Sequence, residues 1–176
     1  MNITRFNYFA DSAFSCMNAL KHKFYSEIPE EGDSLRRVLY GQVHGFKGAG
    51  IWSECISENV KMGETSSYDH YLSPLQVADF IYRNSEIYLE NFDEFKKIFR
   101  LCCQTHKVTP KENKELSNLN GKVLTRDKYK HLGIILFKNY ELTDNKIITP
   151  IGYDDYEQKK FAGEYIRGPL DNFIQN

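Results

Sequence analysis

Two short signals, Ser73-Pro74 and Thr109-Pro110-Lys111-Glu112, constrain the fold of this chain more than any others. Each marks a helix start. A Ser or Thr side chain can accept from an orphan backbone N–H, and a proline at the first helical position needs no N–H of its own. Glu112 falls three residues after Thr109, where a capping box places its carboxylate. After Pro74, the residues Leu75, Val77, Ala78, Phe80 and Ile81 supply an apolar face to about Arg83. A second helix is predicted over 92–101, with Phe95, Ile98 and Phe99 inside, and a third follows Pro110. The middle of the chain is therefore expected to be helical, with helix starts that local chemistry defines.

The flanks read differently. Phe14, Met17, Leu20, Lys21 and Phe24 recur at helical spacing and predict a helix over 11–25, with Asp11 or Ser12 as its N-cap. The stretch 29–33 reads as an acidic turn, and 34–42 as a short helix. Gly41, Gly45, Gly48 and Gly50 then fall within ten residues. This predicts a loop with unusual backbone angles or close approach to a neighbour. Their spacing fits neither GxxxxGK[ST] nor GxGxxG, so no nucleotide loop is read. A strand is expected over 51–56, a polar loop over 63–67 and a buried strand over 132–137. Alternating aromatic and charged residues follow Gly152. The expectation is one mixed α+β domain over 1–176, with an N-terminal helical part, a central unit and a strand-rich C-terminal part.

Composition excludes some classes. Hydrophobic residues make up 41% of the 176 and aromatics 14%, including 12 Tyr and 12 Phe, which argues for an ordered core. Trp52 is assigned to that core. No apolar run approaches the roughly 20 residues that span a bilayer. The first residues show no basic-then-apolar signal pattern. Cys16, Cys55, Cys102 and Cys103 form neither a secreted disulfide framework nor a paired CxxC site. A reducing cytoplasm without membrane partners is the expected setting.

Charge is unevenly distributed. Between 54 and 94 there are nine acids against Lys61 and Arg83, and between 95 and 130 there are ten Lys/Arg against Glu112, Glu115 and Asp127. The basic stretch is either a footprint for phosphate or a solvated face paired with the acidic one.

Two spots carry chemistry: Tyr68-Asp69-His70, and Leu101-Cys102-Cys103-Gln104-Thr105-His106 running into Thr109. Together these resemble HNH (ββα-metal) endonucleases, in which a DH or HH pair ends a first strand and an LCxxCH-like segment precedes a short helix. The resemblance covers 68–117 and is closest to divergent restriction or phage-type members. It implies a ββα-metal-like core with helical insertions and additional strands. It also implies metal-dependent hydrolysis of DNA phosphodiesters, with sequence specificity of the restriction type. His70 would be the general base and Asn91 would orient it. Asp69, His106 and Asn113 would hold a divalent metal, Mg²⁺ or Mn²⁺. Thr105 stands where many members have a second cysteine, so no structural zinc is expected. Lys96, Lys97, Arg100, Lys107, Lys111 and Lys114 would contact DNA phosphates, and a homodimer would let one chain cut both strands.

The physical chemistry agrees with these roles. A neutral His is a suitable base near pH 7. A divalent cation stabilises charge on phosphate without moving a proton, and Mg²⁺ needs few protein ligands. Taken singly, each residue has a plainer reading: Asp69-His70 as a capping pair, His106 as a surface residue, each lysine as a solvated charge. Cys102-Cys103 with His106 could be a thiol nucleophile with its base, and Cys55 with these three a zinc site. Arg36, Arg37, Gln42 and Lys47 could read bases. His22, His44 and His131 have no partner that the sequence names. The rival functions are a non-catalytic nucleic-acid binder, which would tolerate loss of Asp69, His70 and His106, and a protein-binding inhibitor module.

Overall fold

The computed structural model describes residues 3–23, 29–47, 53–70, 72–138, 141–143 and 148–164. Within these, α1 (Ile3–Ala19) and α2 (Pro29–Lys47) precede β1 (Ser53–Ser57), α3 (Glu58–Lys61) and β2 (Ser67–His70). Next come α4 (Pro74–Arg83), α5 (Ser85–Tyr88) and α6 (Phe92–Cys102), followed by β3 (Thr105–Val108) and α7 (Pro110–Asn118). After a short 3₁₀ turn, α8 (Lys128–His131), β4 (Leu136–Lys138), β5 (Glu141–Leu142) and α9 (Tyr153–Phe161) complete the described chain. The fold is mixed α+β, and no described helix is long and apolar enough to cross a membrane.

The sheet order is β2-β3-β1-β4-β5. β1 runs parallel to β3, while β2 is antiparallel to β3 and forms one edge. The register places Asp69 opposite His106 and His70 opposite Thr105. β3 leads directly into α7. At that junction Glu112 completes the expected capping box: its carboxylate accepts from Thr109 N–H at 2.7 Å, and Thr109 Oγ1 accepts from Glu112 N–H at 3.2 Å. The same carboxylate accepts from Ser57 Oγ at 2.8 Å and Asn59 Nδ2 at 2.9 Å. One glutamate thus caps α7 and ties it to the end of β1.

α1 and α2 pack beside α4 and α6, and the buried apolar residues form one cluster. Phe6 lies between Phe46 and Phe99, with ring centroids 5.8 and 5.6 Å away. Several expectations change here. α1 starts at Ile3, because Phe6, Ala10, Ala13 and Met17 form its buried stripe, and Asp11 and Ser12 lie inside the helix rather than capping it. The predicted acidic turn is the start of α2, where Pro29 suits a first helical position. Gly41 and Gly45 are also helical. At Gly45 the reason is close approach: a Cβ there would come within 2.8 Å of the Phe9 ring. Gly48, Gly50, Trp52 and the first residues of the expected 51–56 strand lie outside the described residues. The 132–137 strand is confined to Leu136–Lys138, because Gly133 turns the backbone at φ +66°. The strand-rich C-terminal part is instead β4, β5 and the helix α9.

Candidate functional site

Successive residues of a strand face opposite sides of the sheet. Ser67 and Asp69 therefore share one face of β2 with His106 and Val108 of β3, while Tyr68 and His70 share the other with Thr105 and Lys107. Directly opposed residues in such a pair lie about 5 Å apart at Cβ, so the fold brings Asp69 and His106 together. Asn113 reaches the same face from α7. Its amide donates to Ser67 Oγ at 2.8 Å and to the Tyr68 carbonyl at 3.3 Å.

Asp69 is buried and already holds a cation. Lys128 Nζ lies 2.7 Å from its Oδ2 and 2.9 Å from the His70 carbonyl, and the Tyr129 hydroxyl donates to the same Oδ2. The two charged side chains are only 3% and 8% exposed. Burial lowers the Lys128 pKa, with Asp69's charge opposing that shift. His106 packs edge-on against the Tyr129 ring, 5.3 Å between centroids. Burial pulls its imidazole down to about 4; Asp69 raises it, while Lys128 and Lys138 lower it further. His106 is therefore neutral at pH 7. Carboxylate, amide oxygen and neutral imidazole are ligand types that a divalent cation accepts. Any such ion would compete with the Lys128 ammonium for Asp69.

His70 faces the other way. Its Nδ1 lies 2.9 Å from the Cys102 carbonyl at the end of α6. A carbonyl can only accept, so Nδ1 carries the proton and the ring's basic lone pair is on Nε2. The His44 ring, on α2, packs edge-on 5.4 Å away, with Tyr40 behind it. Because β2 is an edge strand, both of its faces border the same rim of the sheet.

Asn91 does not join this site. It caps α6, accepting from Asp93 and Glu94 N–H at 3.0 and 3.2 Å. The Cys102 end that touches His70 is a full helix of 11 residues away, about 16 Å at 1.5 Å per residue. At His70 Nδ1 the hydrogen-bond partner is the Cys102 carbonyl.

The proposed phosphate contacts divide into two sets. Lys96 pairs with Asp93 and Lys97 with Glu94, both at 2.6 Å. With the buried Lys128–Asp69 pair, this links three cations of the basic stretch to acids of the acidic one. Arg100 is exposed on α6. Lys111 and Lys114 are exposed one turn apart on α7, and Lys107 shares the His70 face. Cys102 and Cys103 are buried, which pushes the Cys103 thiol up to about 12 and Cys102 well above its ordinary value, so neither is a thiolate nucleophile. Among the described residues, no three His, Cys, Asp or Glu side chains gather into a metal group.

Lys128, Tyr129, His44 and the Cys102 carbonyl are the partners that sequence reasoning missed. Nothing in the sequence distinguishes Lys128 beyond its place just before Tyr129. Comparison with protein-family models, curated proteins and solved structures finds no match for this chain.

Proposed function

We propose that this chain is a metal-dependent endonuclease in which His70 activates the attacking water. The observation that carries the reading is the Nδ1–H bond from His70 to the Cys102 carbonyl at the rim of the sheet. It holds one tautomer and leaves the ring's lone pair on Nε2, which is buried, so the reading requires water to reach that atom when DNA binds. The antiparallel β2–β3 pair running into α7, with Asp69 opposite His106, supports a ββα-metal-like core. Asp69 and Asn113 would hold the divalent ion, with His106 beside them. When bound, the ion would stabilise charge on the phosphate oxygens. Lys107, Lys111 and Lys114 would hold the DNA backbone, which makes binding salt-sensitive.

The test is cleavage of supercoiled and linear DNA with Mg²⁺, with Mn²⁺ and with EDTA, for wild type and His70→Ala. Metal-dependent cutting that disappears in the variant supports the reading. Intact DNA with folded protein under both metals removes it. A second reading, a non-catalytic nucleic-acid binder, is favoured by the Asp69–Lys128–Tyr129 cluster, which makes sense as a purely structural latch. That reading predicts salt-dependent DNA binding unchanged in His70→Ala.

A further inference from the structure

The sheet has a closed face and a half-open one. Asp69, His106, Ser57 and Leu136 lie on the closed face and are all buried. On the other face the register runs straight across the five strands. Tyr68 of β2 opposes Lys107 of β3, Lys107 opposes Ile56 of β1, Ile56 opposes Phe137 of β4, and Phe137 opposes Leu142 of β5. Opposed residues point to the same side of a sheet, so these five side chains form one row. Tyr68, Lys107, Ile56 and Phe137 are half-buried, and Leu142 is 70% exposed. The same face is closed at its other end, where Thr105 is buried and His70 meets the Cys102 carbonyl of α6 and the His44 ring of α2. The row therefore begins two residues from His70.

Two rings, Tyr68 and Phe137, flank a central lysine in this row. Lys107 makes no ion pair among the described residues. Lys61 of α3 holds its ammonium 3.8 Å from the centre of the Phe137 ring. Rings offer flat faces to unstacked bases, and ammonium groups answer the phosphates between them. A cation over a surface ring is held more weakly than a base stacked on one, so Lys61 can yield the Phe137 face and turn to phosphate. The width of the row selects the form of nucleic acid. Five strands about 4.8 Å apart make a row about 19 Å wide, whereas the major groove of a duplex is about 12 Å wide and admits one helix or a two-stranded ribbon. In a duplex the bases also stack on each other, which leaves no base face for the rings.

We infer that this half-open face binds single-stranded DNA, with bases on Tyr68 and Phe137 and phosphates on Lys107 and Lys61. The choice of DNA rests on the nuclease reading and deepens it: the strand that His70 meets is unpaired. The test is fluorescence anisotropy in EDTA, with a labelled single strand of about ten nucleotides, the size that a small sheet platform covers. The duplex and the RNA of the same sequence are the competing probes. The variants are Tyr68→Leu, Phe137→Leu, Tyr68→Phe and, as a ring-matched control on α1, Tyr8→Leu, with circular dichroism on each. Wild type, Tyr68→Phe and Tyr8→Leu are expected to bind the single strand equally and in preference to the duplex. Tyr68→Leu and Phe137→Leu should each bind about tenfold more weakly, the value of one lost base stack. Both keep an apolar side chain on the strand, and each reads the face independently of the other. Tighter binding of duplex or RNA, or single-strand binding unchanged in both leucine variants, overturns the proposal. Ring-dependent binding without metal-dependent cleavage sinks the nuclease reading and leaves this inference standing. His70-dependent cleavage without ring dependence does the reverse.

Discussion

Asp69 and Asp79 are built from similar parts in different surroundings. Each is a buried carboxylate held by basic side chains and one tyrosine hydroxyl: Lys128 and Tyr129 for Asp69, Arg83, Arg36 and Tyr156 for Asp79. Around Asp69 the charges balance within a dry interior, with a neutral His106 opposite. Asp79 instead borders an open cleft, where Arg36, Arg37, Arg83 and Lys160 are among the described lining residues. Burial alone would raise the Asp79 pKa, but the Tyr156 hydroxyl, with Arg83 and Lys160, holds it below its ordinary value. The difference teaches that a buried aspartate is not a site by itself. A closed set is a latch; a set that borders an open cleft has water nearby to solvate its cations.

The sharpest way to break this comparison is to neutralise both carboxylates in the same manner. Asp69→Asn strands the Lys128 ammonium in a dry interior and is expected to cost about 3–5 kcal/mol, read by urea denaturation. Adding Lys128→Met should recover more than half of that loss, since an apolar side chain of similar length needs no counter-charge. A double variant no more stable than the single one would mean that Asp69 has a role beyond pairing Lys128, such as holding a metal.

His106 supplies the next largest effect. The unfolded chain takes up a proton on this ring near pH 6.5, whereas the folded protein does so only near 4. Stability should therefore fall as pH drops from 6.5 to 4, by about 3 kcal/mol, and this contribution should level off below 4. In His106→Gln that slope should vanish. If wild type and variant lose stability in parallel across the window, His106 is not the group responsible.

Asp79→Asn should cost about 2 kcal/mol, less than its counterpart, because water in the cleft can solvate Arg36 and Arg83. A cost equal to that of Asp69→Asn would erase the distinction between the two clusters. The smallest effect is expected at Ser73. A working N-cap is worth about 1 kcal/mol, but this hydroxyl makes no cap bond, so Ser73→Ala should change stability by under ~0.5 kcal/mol. A full loss of about 1 kcal/mol would mean that Ser73 caps the helix in solution.

Helices that start with their own chemical signals were legible in the sequence. Pro74–Arg83, Phe92–Cys102 and the capping box at Thr109 and Glu112 lie where Ser/Thr-Pro steps and apolar periodicity put them. Helices held mainly by packing were less so. α1 starts eight residues before its predicted cap because its buried stripe uses Ala10 and Ala13, small residues that carry little hydrophobic signal. α2 runs through Gly41 and Gly45 because α1 lies close against it, a contact that one sequence window cannot contain. At the candidate site, the pairing of Asp69 with His106 matches the grouping that the resemblance implied. Asn91 does not, since an Asn just before an acidic helix start is also an excellent cap, and there the local role won. Asp79, the one charge among Val77, Ala78, Phe80 and Ile81, was a readable anomaly that the helix pattern absorbed.

What this sequence determined by itself is local: where capped helices start, which residues form the apolar faces, and that acidic and basic stretches adjoin. Such features depend on interactions within three or four residues, which a window of sequence contains whole. Only the tertiary structure decided which charges meet. Lys128 reaches Asp69 across 59 residues and Tyr156 reaches Asp79 across 77. Those partnerships follow from how strands pair and helices stack, and the free energy that fixes them is not written in any one segment.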